Sequence, residues 1–467
     1  MLTGREVRFK RSVSETVSGF CVRFLVAAGV VASKIAFPAL LLERPLLGAA
    51  VVFGLQWGDE GKGKMVDALA AGFDMVVRYA GGANAGHTVV VDDRCFVFHM
   101  LPVAALRERT RCVIAAGVAF DPDAFVEEVA RLEAAGLPTG SRITVDERAH
   151  VVLPAHKSLD GARDAAAGVG TTRRGIGPCY ADRASRIGLR TIDLYDEKRL
   201  ETRLAASLAE SSALCALYGV EAPDHDAHLV WCRKVAEALR PHLADGARMI
   251  RETLEAGGRV LFEGAQGALL DTDFGTYPHV TSSHPGVLGI PAGCGVYVRR
   301  FDRIWGVSKC YTTRVGAGPF PTEQENPAGR RLRERGGEYG ATTSRPRRCG
   351  WLDLVALRYA VAVERPDALV VTKLDVLSGL SKIPVATAYR IGRTTTDEFP
   401  TRADLLGEAE PIYEDLPGWS SDLGSARRPS DLPDAARRYL AFIEESLDVP
   451  VALVSVGERR EQVVECR

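Results

Sequence analysis

Residues 58–64 read Gly-Asp-Glu-Gly-Lys-Gly-Lys, with two carboxylates and two ammonium groups set among three glycines. Gly58, Gly61 and Gly63 let backbone N–H groups approach an anion closely, and Lys62 adds a charge suited to phosphate. Residues 58–65 nearly match the phosphate loop G-x-x-x-x-G-K-[ST], but Met65 stands where a magnesium-binding hydroxyl belongs. The loop carries Asp59 and Glu60 instead. Acid inside a phosphate loop repels its ligand unless it binds metal or moves a proton, so Asp59 points to chemistry beside the phosphate.

Two further clusters could recognise ligands. Lys373-Leu-Asp375 follows an apolar run at 369–372 and is similar to the guanine-reading Lys-x-Asp of GTPases. Asp375 can accept from both N1–H and N2–H₂ of guanine, whereas adenine offers no such pair. Between Ala341 and Arg347 lie the hydroxyls of Thr342 and Thr343 and the guanidiniums of Arg345 and Arg347. That combination suits a dicarboxylate.

The elements that must position these groups alternate between strand and helix. An apolar run at 49–53 reads as a buried strand, and Met65, Val66 and Leu69, with Ala68 and Ala70, read as a helix after the loop. Further strands are expected at 74–78, 111–115, 142–145, 259–262, 303–308 and 369–372. Helices are expected at 122–135, with Asp121 as cap signal, at 351–363 and at 434–447. Residues 196–254 read as largely helical, and the Gly- and Arg-rich stretch 150–190 reads as long functional loops. Alternation of this kind predicts an α/β fold around a mainly parallel central sheet, as one unit with a helical insertion.

The chain has 467 residues, 46% of them hydrophobic, enough for a large core. A net charge of −1 gives no global field for nucleic acid or membrane. This weighs against reading Arg345–Arg348 as a nucleic-acid patch. Ten cysteines form no C-x-x-C pair, which fits reduced thiols in an intracellular protein. Residues 1–48 differ in composition. Arg5, Arg8, Lys10, Arg11 and Arg23 precede an apolar stretch at 24–42 that Lys34 interrupts, so a membrane-spanning helix is not expected. The segment reads as an organelle transit peptide or as an extended start without function. It is set aside as an N-terminal extension before a catalytic domain at 49–467.

The first loop resembles the signature of adenylosuccinate synthetases. Further blocks follow in that family's order: Tyr79-Ala-Gly-Gly-Ala-Asn-Ala-Gly-His-Thr88, Gly170-Thr-Thr-Arg-Arg-Gly-Ile-Gly-Pro178, Phe262-Glu-Gly-Ala-Gln-Gly-Ala268, Gly275-Thr-Tyr-Pro-His-Val-Thr-Ser-Ser283, Thr312-Thr-Arg-Val-Gly-Ala-Gly-Pro-Phe-Pro-Thr322, Gly340-Ala-Thr-Thr-Ser-Arg-Pro-Arg-Arg-Cys-Gly-Trp351 and Thr372-Lys-Leu-Asp-Val-Leu377. The resemblance runs from about Ala49 to the C-terminus. It implies a phosphate-loop-like α/β ligase that joins L-aspartate to IMP with GTP through 6-phosphoryl-IMP, the first committed step from IMP to AMP. It also implies one Mg²⁺ per subunit and a cytoplasmic homodimer, or a plastid or mitochondrial one if residues 1–48 direct transit.

The resemblance assigns roles residue by residue. Asp59 is the base for N1 of IMP and, with the Gly86 carbonyl, a magnesium ligand, both hard oxygen donors. His87 is the general acid, as an imidazole that titrates near neutrality can be. Lys62 and Gln266 assist catalysis. IMP contacts fall on Asp59, Glu60, Gly61, Lys62, Asn84, Ala85, Gly86, His87, Thr172, Gln266, Thr281 and Arg345, with Arg186 supplied by the neighbouring subunit. GTP contacts fall on residues 58–64, Lys64 included, and on Gly86, His87, Thr88, Arg347, Lys373, Leu374, Asp375, Ser455, Val456 and Gly457. L-Aspartate falls to Ala341, Thr342, Thr343, Ser344, Arg345, Pro346 and Arg347. The sequence departs from the family pattern at Ala83, at Arg173 and Ser344 (usually glycine), at His284 (usually asparagine) and at Glu458 (usually proline). Two other functions fit part of this pattern. A sister ligase acting on dGMP is known from viral relatives that replace the loop aspartate, which is retained here. A guanine-nucleotide switch would use Lys373 and Asp375 but needs neither His87 nor a dicarboxylate clamp.

Overall fold

Strand β1, Ala49–Gly54, is buried along its whole length. Val51 and Phe53 enter one apolar cluster and Ala50 and Val52 another, as a two-residue period requires. A strand with two buried faces needs cover on both sides, which is the environment of a parallel sheet between layers of helix. The computed structural model describes residues 48–91, 94–168, 170–340 and 345–466. The expected extension at 1–48 lies outside them apart from Gly48. The described residues belong to one compact unit, residues 46–467.

Nine more strands join β1: β2 Met75–Arg78, β3 Arg111–Ile114, β4 Ile143–Asp146, β5 Leu243–Ala244, β6 Val260–Gly267, β7 Arg303–Lys309, β8 Ala368–Thr372, β9 Val451–Ser455 and β10 Val463–Glu465. The ten-stranded sheet has the order β10-β9-β8-β7-β1-β6-β2-β3-β4-β5. Every pairing is parallel except that of β9 with β10. The expected mainly parallel α/β fold is therefore the observed one. Strand β1 lies between β6 and β7, with Val51 level with Phe262 on one side and Ile304 on the other. The chain leaves β1 toward β2 and later fills the opposite side. Such a reversal opens a crevice at the carboxyl ends of the strands, the usual ligand position in open α/β sheets. The motif blocks at 54–64, 79–88, 263–268, 309–322, 372–377 and 455–457 all sit at or just past strand carboxyl ends.

Helix α1, Lys62–Ala70, follows the glycine-rich loop. Helix α2, Pro122–Ala134, starts where Asp121 accepts from the Ala124 N–H at 3.3 Å. The stretch 196–254 holds helices Glu197–Tyr218, His225–Leu239 and Gly246–Glu255, and also edge strand β5. Residues 150–190 correct the expectation of long loops. They form helices Pro154–Ala167 and Ile176–Ser185 around a short loop. The first presents mostly alanine and polar side chains, so its burial of Ala155 and Leu159 leaves little hydrophobic period to read. The helix expected from 351 begins at Leu354, because the Asp353 carboxylate caps it by accepting from Ala356 N–H at 3.1 Å. A smaller sheet of Leu352–Asp353, Lys382–Ile391, Thr394–Thr396 and Glu410–Pro417 was not expected. Its long strand is interrupted by Pro384 and only partly alternates in burial. Among the described residues no helix is long and apolar enough to cross a membrane.

Candidate active site

The loop after β1 turns through left-handed conformations at Gly58, Asp59 and Gly61, with φ of 85°, 59° and 82°. This curls successive N–H groups around a concavity suited to an anion. Asp59 adopts the conformation without a glycine's freedom, at a cost of about 1 kcal/mol or more. Glu60 turns inward. Its Oε1 accepts from the N–H of Gln56 at 3.1 Å and of Gly58 at 2.9 Å, and its Oε2 lies 2.5 Å from Lys62 Nζ. A Cβ on Gly54 or on Gly267 would lie 2.4 Å from that carboxylate, so both glycines make room for it. Burial pushes the Glu60 carboxyl up, but the Lys62 ammonium and the N–H donors outweigh it and hold it below the usual range. Glu60 thus braces the loop with its side chain, and its carbonyl is held by Thr372 Oγ1 at 2.6 Å.

The Lys64 side chain is engaged within the protein. Its ammonium donates to Ser455 Oγ, Gly457 O and Gln462 O, each at 2.8 Å. All three donors are taken, so this side chain has none left for a nucleotide. It joins α1 to the C-terminal block instead, and burial brings its pKa down to about 8. Asp67 on the same helix pairs with Arg460 of that block. These two ties and the Val456 N–H on Gln462 O at 3.0 Å fix the segment Ser455, Val456 and Gly457, although Glu458 replaces the usual proline.

His87 opens a hairpin of His87–Val91 with Arg94–Phe98, and Thr88 beside it is exposed. His87 Nδ1 lies 2.5 Å from Oε1 of the buried Glu263, whose Oε2 accepts from Val103 N–H at 3.0 Å. A carboxylate only accepts, so Nδ1 carries hydrogen and Nε2 is the atom left for chemistry. Gly63 permits this approach: a Cβ there would lie 3.1 Å from His87 Cβ. Gln266 Nε2 donates to Asn84 Oδ1 at 3.0 Å. Ala85 closes the turn before Gly86, donating to Gly82 O and accepting from His99. Ala83 is buried.

Five buried polar atoms of the expected site have no hydrogen-bond partner among the described residues: His87 Nε2, Gln266 Oε1, Thr281 Oγ1, Arg347 Nε and Asp375 Oδ1. Leaving such an atom unpaired costs about 1–3 kcal/mol, so each is a group that a polar partner, water or ligand, would complete. Burial raises the Asp375 carboxyl, against the pull of Lys373 and Lys64. Leu374 anchors this turn in the core, and Lys373 Nζ donates to Gly336 O at 2.5 Å.

The remaining expected residues lie on loops around the crevice. Thr172 is exposed on a loop tied to Asp164, which accepts from the N–H of Gly170 and Thr171 at 2.7 and 2.8 Å and from Arg173 Nε at 3.2 Å. Arg173 has φ of 56°, which explains why glycine is usual there. Arg186 ends its helix in the left-handed region, exposed; its N–H donates to Arg183 O at 3.2 Å and its carbonyl accepts from Arg203 at 2.8 Å. His284 Nδ1 lies 3.1 Å from Asp271 Oδ2. Ala341, Thr342, Thr343 and Ser344 lie outside the described residues, whereas Arg345, Pro346 and Arg347 are described. Arg347 Nε is 2.8 Å from Asp59 Oδ2, and its Nη1 donates to Glu338 Oε2 at 2.8 Å.

Sequence reasoning missed Glu263 and Glu338. Glu263 left a trace, a lone carboxylate closing the apolar run 260–262. Glu338, between Gly337 and Tyr339, left none; its meaning depends on Lys309, Tyr311 and Arg347 gathering around it.

Comparison with known proteins identifies the family. The adenylosuccinate synthetase family profile matches residues 51–464. The adenylosuccinate synthetase of Salinibacter ruber is 47% identical over 427 residues, covering 89% of this chain and 97% of that protein. That of Moorella thermoacetica is 48% identical over 422 residues, covering 90% and 99%. The fully ligated adenylosuccinate synthetase of Plasmodium falciparum superimposes with a TM-score of 0.84 at 35% identity, covering 90% of this chain and all of that one. A cyanophage S-2L succinoaminodeoxyadenylate synthetase shares the fold, with a TM-score of 0.56 at 20% identity. With its crevice at the β1 switch point and this likeness along nearly its whole described length, the chain belongs to the adenylosuccinate synthetase family, the ligases that join L-aspartate to IMP at the expense of GTP.

Proposed function

We propose that this chain makes adenylosuccinate, GDP and phosphate from IMP, L-aspartate and GTP, with the catalytic roles on Asp59, His87, Lys62 and Gln266. The observation that carries the reading is the set of unpaired polar atoms at His87 Nε2, Gln266 Oε1, Thr281 Oγ1 and Asp375 Oδ1, beside the concave N–H loop at Asp59. Asp59 takes the N1 proton of IMP, which raises the nucleophilicity of O6 for attack on the γ-phosphorus of GTP. His87, held by Glu263 through Nδ1, donates from Nε2 to the oxygen that gains charge. Phosphorylation turns a poor leaving group into a good one. The amino group of aspartate then displaces phosphate at C6. Lys62 turns from Glu60 toward the transferring phosphoryl group, and Gln266 with Asn84 fixes the purine. Asp375 reads guanine, and the wall at 455–457 closes its pocket.

Asp59 and the Gly86 carbonyl are oxygen donors of the type magnesium takes. Among the described residues no three His, Cys, Asp or Glu side chains gather into a metal cage, and magnesium is commonly held by one or two protein oxygens plus phosphates and water. One Mg²⁺ per subunit fits here, and when bound it neutralises charge on the triphosphate. Arg345 and Arg347, with residues 341–344, bind the two aspartate carboxylates. Arg186, exposed and with no bond to its guanidinium among the described residues, reaches the IMP phosphate of the partner in a homodimer. The catalytic domain spans 49–467 and acts in the cytoplasm, without nucleic-acid or membrane partners. If residues 1–48 direct transit, it acts in a plastid or mitochondrion. Retention of Asp59 argues against dGMP as substrate.

A coupled assay for adenylosuccinate, with IMP, aspartate and GTP omitted in turn, tests the reaction. Each omission abolishes product. In the same assay Asp59→Asn loses about 10²-fold or more in kcat, and near-normal turnover of that variant overturns the assignment of the base.

A further inference from the structure

Arg347 touches two carboxylates in different ways. Its Nη1 donates to Glu338 Oε2 at 2.8 Å, and Glu338 is fully buried. Its Nε lies equally close, 2.8 Å, to Asp59 Oδ2, yet the Nε–H makes no hydrogen bond there. The Asp59 contact is therefore coulombic without alignment, and the Asp59 side chain is 28% exposed to screening water. One end of the guanidinium is fastened and the other is exchangeable.

The fastened end is itself held. Lys309 Nζ lies 2.7 Å from Glu338 Oε1, and Tyr311 donates its hydroxyl to the same oxygen at 2.5 Å. Lys309 is fully buried and also donates to Thr313 Oγ1 at 2.7 Å. The Arg347 N–H donates to the Glu338 carbonyl at 2.9 Å, which ties the backbones together. Burial alone would push the Glu338 carboxyl up, but Lys309, Lys373 and Arg347 hold it down at about 2. Glu338 is thus an ionised, immobile acceptor at the root of the loop that carries Arg345 and Arg347.

A base for the N1 proton of IMP cannot stay paired with a guanidinium. Nor can an aspartate oxygen take a metal at full strength while Arg347 neutralises it. Arriving anions offer the guanidinium a replacement partner, and an arginine keeps several donors in a fixed fork.

We propose that Arg347 is a two-position side chain: in one position it pairs with Asp59, and in the other, turning about Glu338, it releases Asp59 and meets an incoming carboxylate or phosphate. Glu338 is then a positioning residue, with Lys309 and Tyr311 behind it. The proposal rests on the reading of Asp59 as base.

The test is a kinetic cycle of Glu338→Gln, Arg347→Lys and the double variant, with IMP binding to the nucleotide-free enzyme measured by calorimetry. Each single variant raises KM for aspartate and lowers kcat by tenfold or more, while the Kd for IMP stays within twofold. The double variant is no worse than the weaker single, because the two groups act as one unit. Additive losses, an unchanged aspartate KM, or a parallel shift in IMP affinity overturns the pivot. Should Glu338→Gln fail to fold with Lys309 left unpaired, Glu338→Met with Lys309→Met removes both buried charges and enters the same cycle. A crystal structure with IMP, GDP, Mg²⁺ and aspartate reads the second position directly. Arg347 Nη1 stays on Glu338 while Nε has left Asp59; an Arg347 still against Asp59 in the loaded site overturns the exchange. The base assignment fails separately, through an active Asp59→Asn.

Discussion

Glu263 holds His87 from behind: its Oε1 lies 2.5 Å from Nδ1, with both side chains buried. A carboxylate there fixes the tautomer and stabilises an imidazolium as Nε2 takes up a proton. Glu263→Gln keeps the shape, but its amide can donate and so admits the wrong tautomer. Turnover should fall about 10²- to 10⁴-fold, the range for a lost general acid–base group, with KM for IMP and GTP changed little. Steady-state kinetics decides. A variant that changes KM and leaves kcat intact would make Glu263 a structural prop of the strand.

Asp375 Oδ1 is buried and has no hydrogen-bond partner among the described residues. Asp375→Asn removes the acceptor for guanine N1–H and N2–H₂. Hydrogen bonds to a charged group contribute about 1.5–3 kcal/mol, so kcat/KM for GTP should drop roughly 10- to 100-fold. Xanthosine triphosphate should gain, since its C2 carbonyl can accept from the new amide. Unchanged GTP kinetics would show that the base sits elsewhere.

Arg186 predicts complementation between dead enzymes. Arg186→Leu mixed with Asp59→Asn gives mixed dimers in which one site holds both wild-type groups and the other neither. Random exchange in a twofold dimer makes about half the dimers mixed, which sets a ceiling of roughly a quarter of wild-type activity. A mixture that stays inactive after confirmed subunit exchange would place Arg186 in its own chain's site.

His150 should shape the acid limb of stability. Burial, then Arg183 and Arg190, lowers its pKa from 6.5 to about 4. A histidine depressed on folding binds its proton more readily when unfolded. Its stabilising effect is complete above pH 6.5 and is lost as pH falls toward 4, to a total of about 3 kcal/mol. Urea titrations between pH 7 and pH 4 should show a shallower decline for His150→Gln than for the parent. Equal slopes would mean that the acid loss comes from other groups.

The strands of the sheet centre were legible because they are apolar runs bounded by glycine and charge, and buried strands need little else. Asp59 and Lys373 were legible through their company: a phosphate loop and a strand end announce themselves locally. Long-range partnerships were not. Lys64 reads as one more phosphate lysine until the fold brings Ser455, Gly457 and Gln462 within 2.8 Å or so of α1. Arg173 reads as an added charge, and only its φ of 56° shows that it occupies a conformation made for glycine. The helices at 154–167 and 176–185 escaped because alanine and glycine bury backbone rather than a visible stripe of large side chains.

The position of β1 has a consequence for biosynthesis. Its two hydrogen-bonding neighbours begin at Val260 and Arg303, more than 200 residues further along the chain. Until then this fully buried strand has two open edges, the condition under which nascent chains pair with the wrong partner. Slow pairing across such sequence distances also favours traps over rapid closure. A ribosome stalled before residue 260 therefore displays the phosphate loop on an unpaired strand. Chaperone demand during synthesis should track the appearance of the strand at Val260 rather than the completion of any helix.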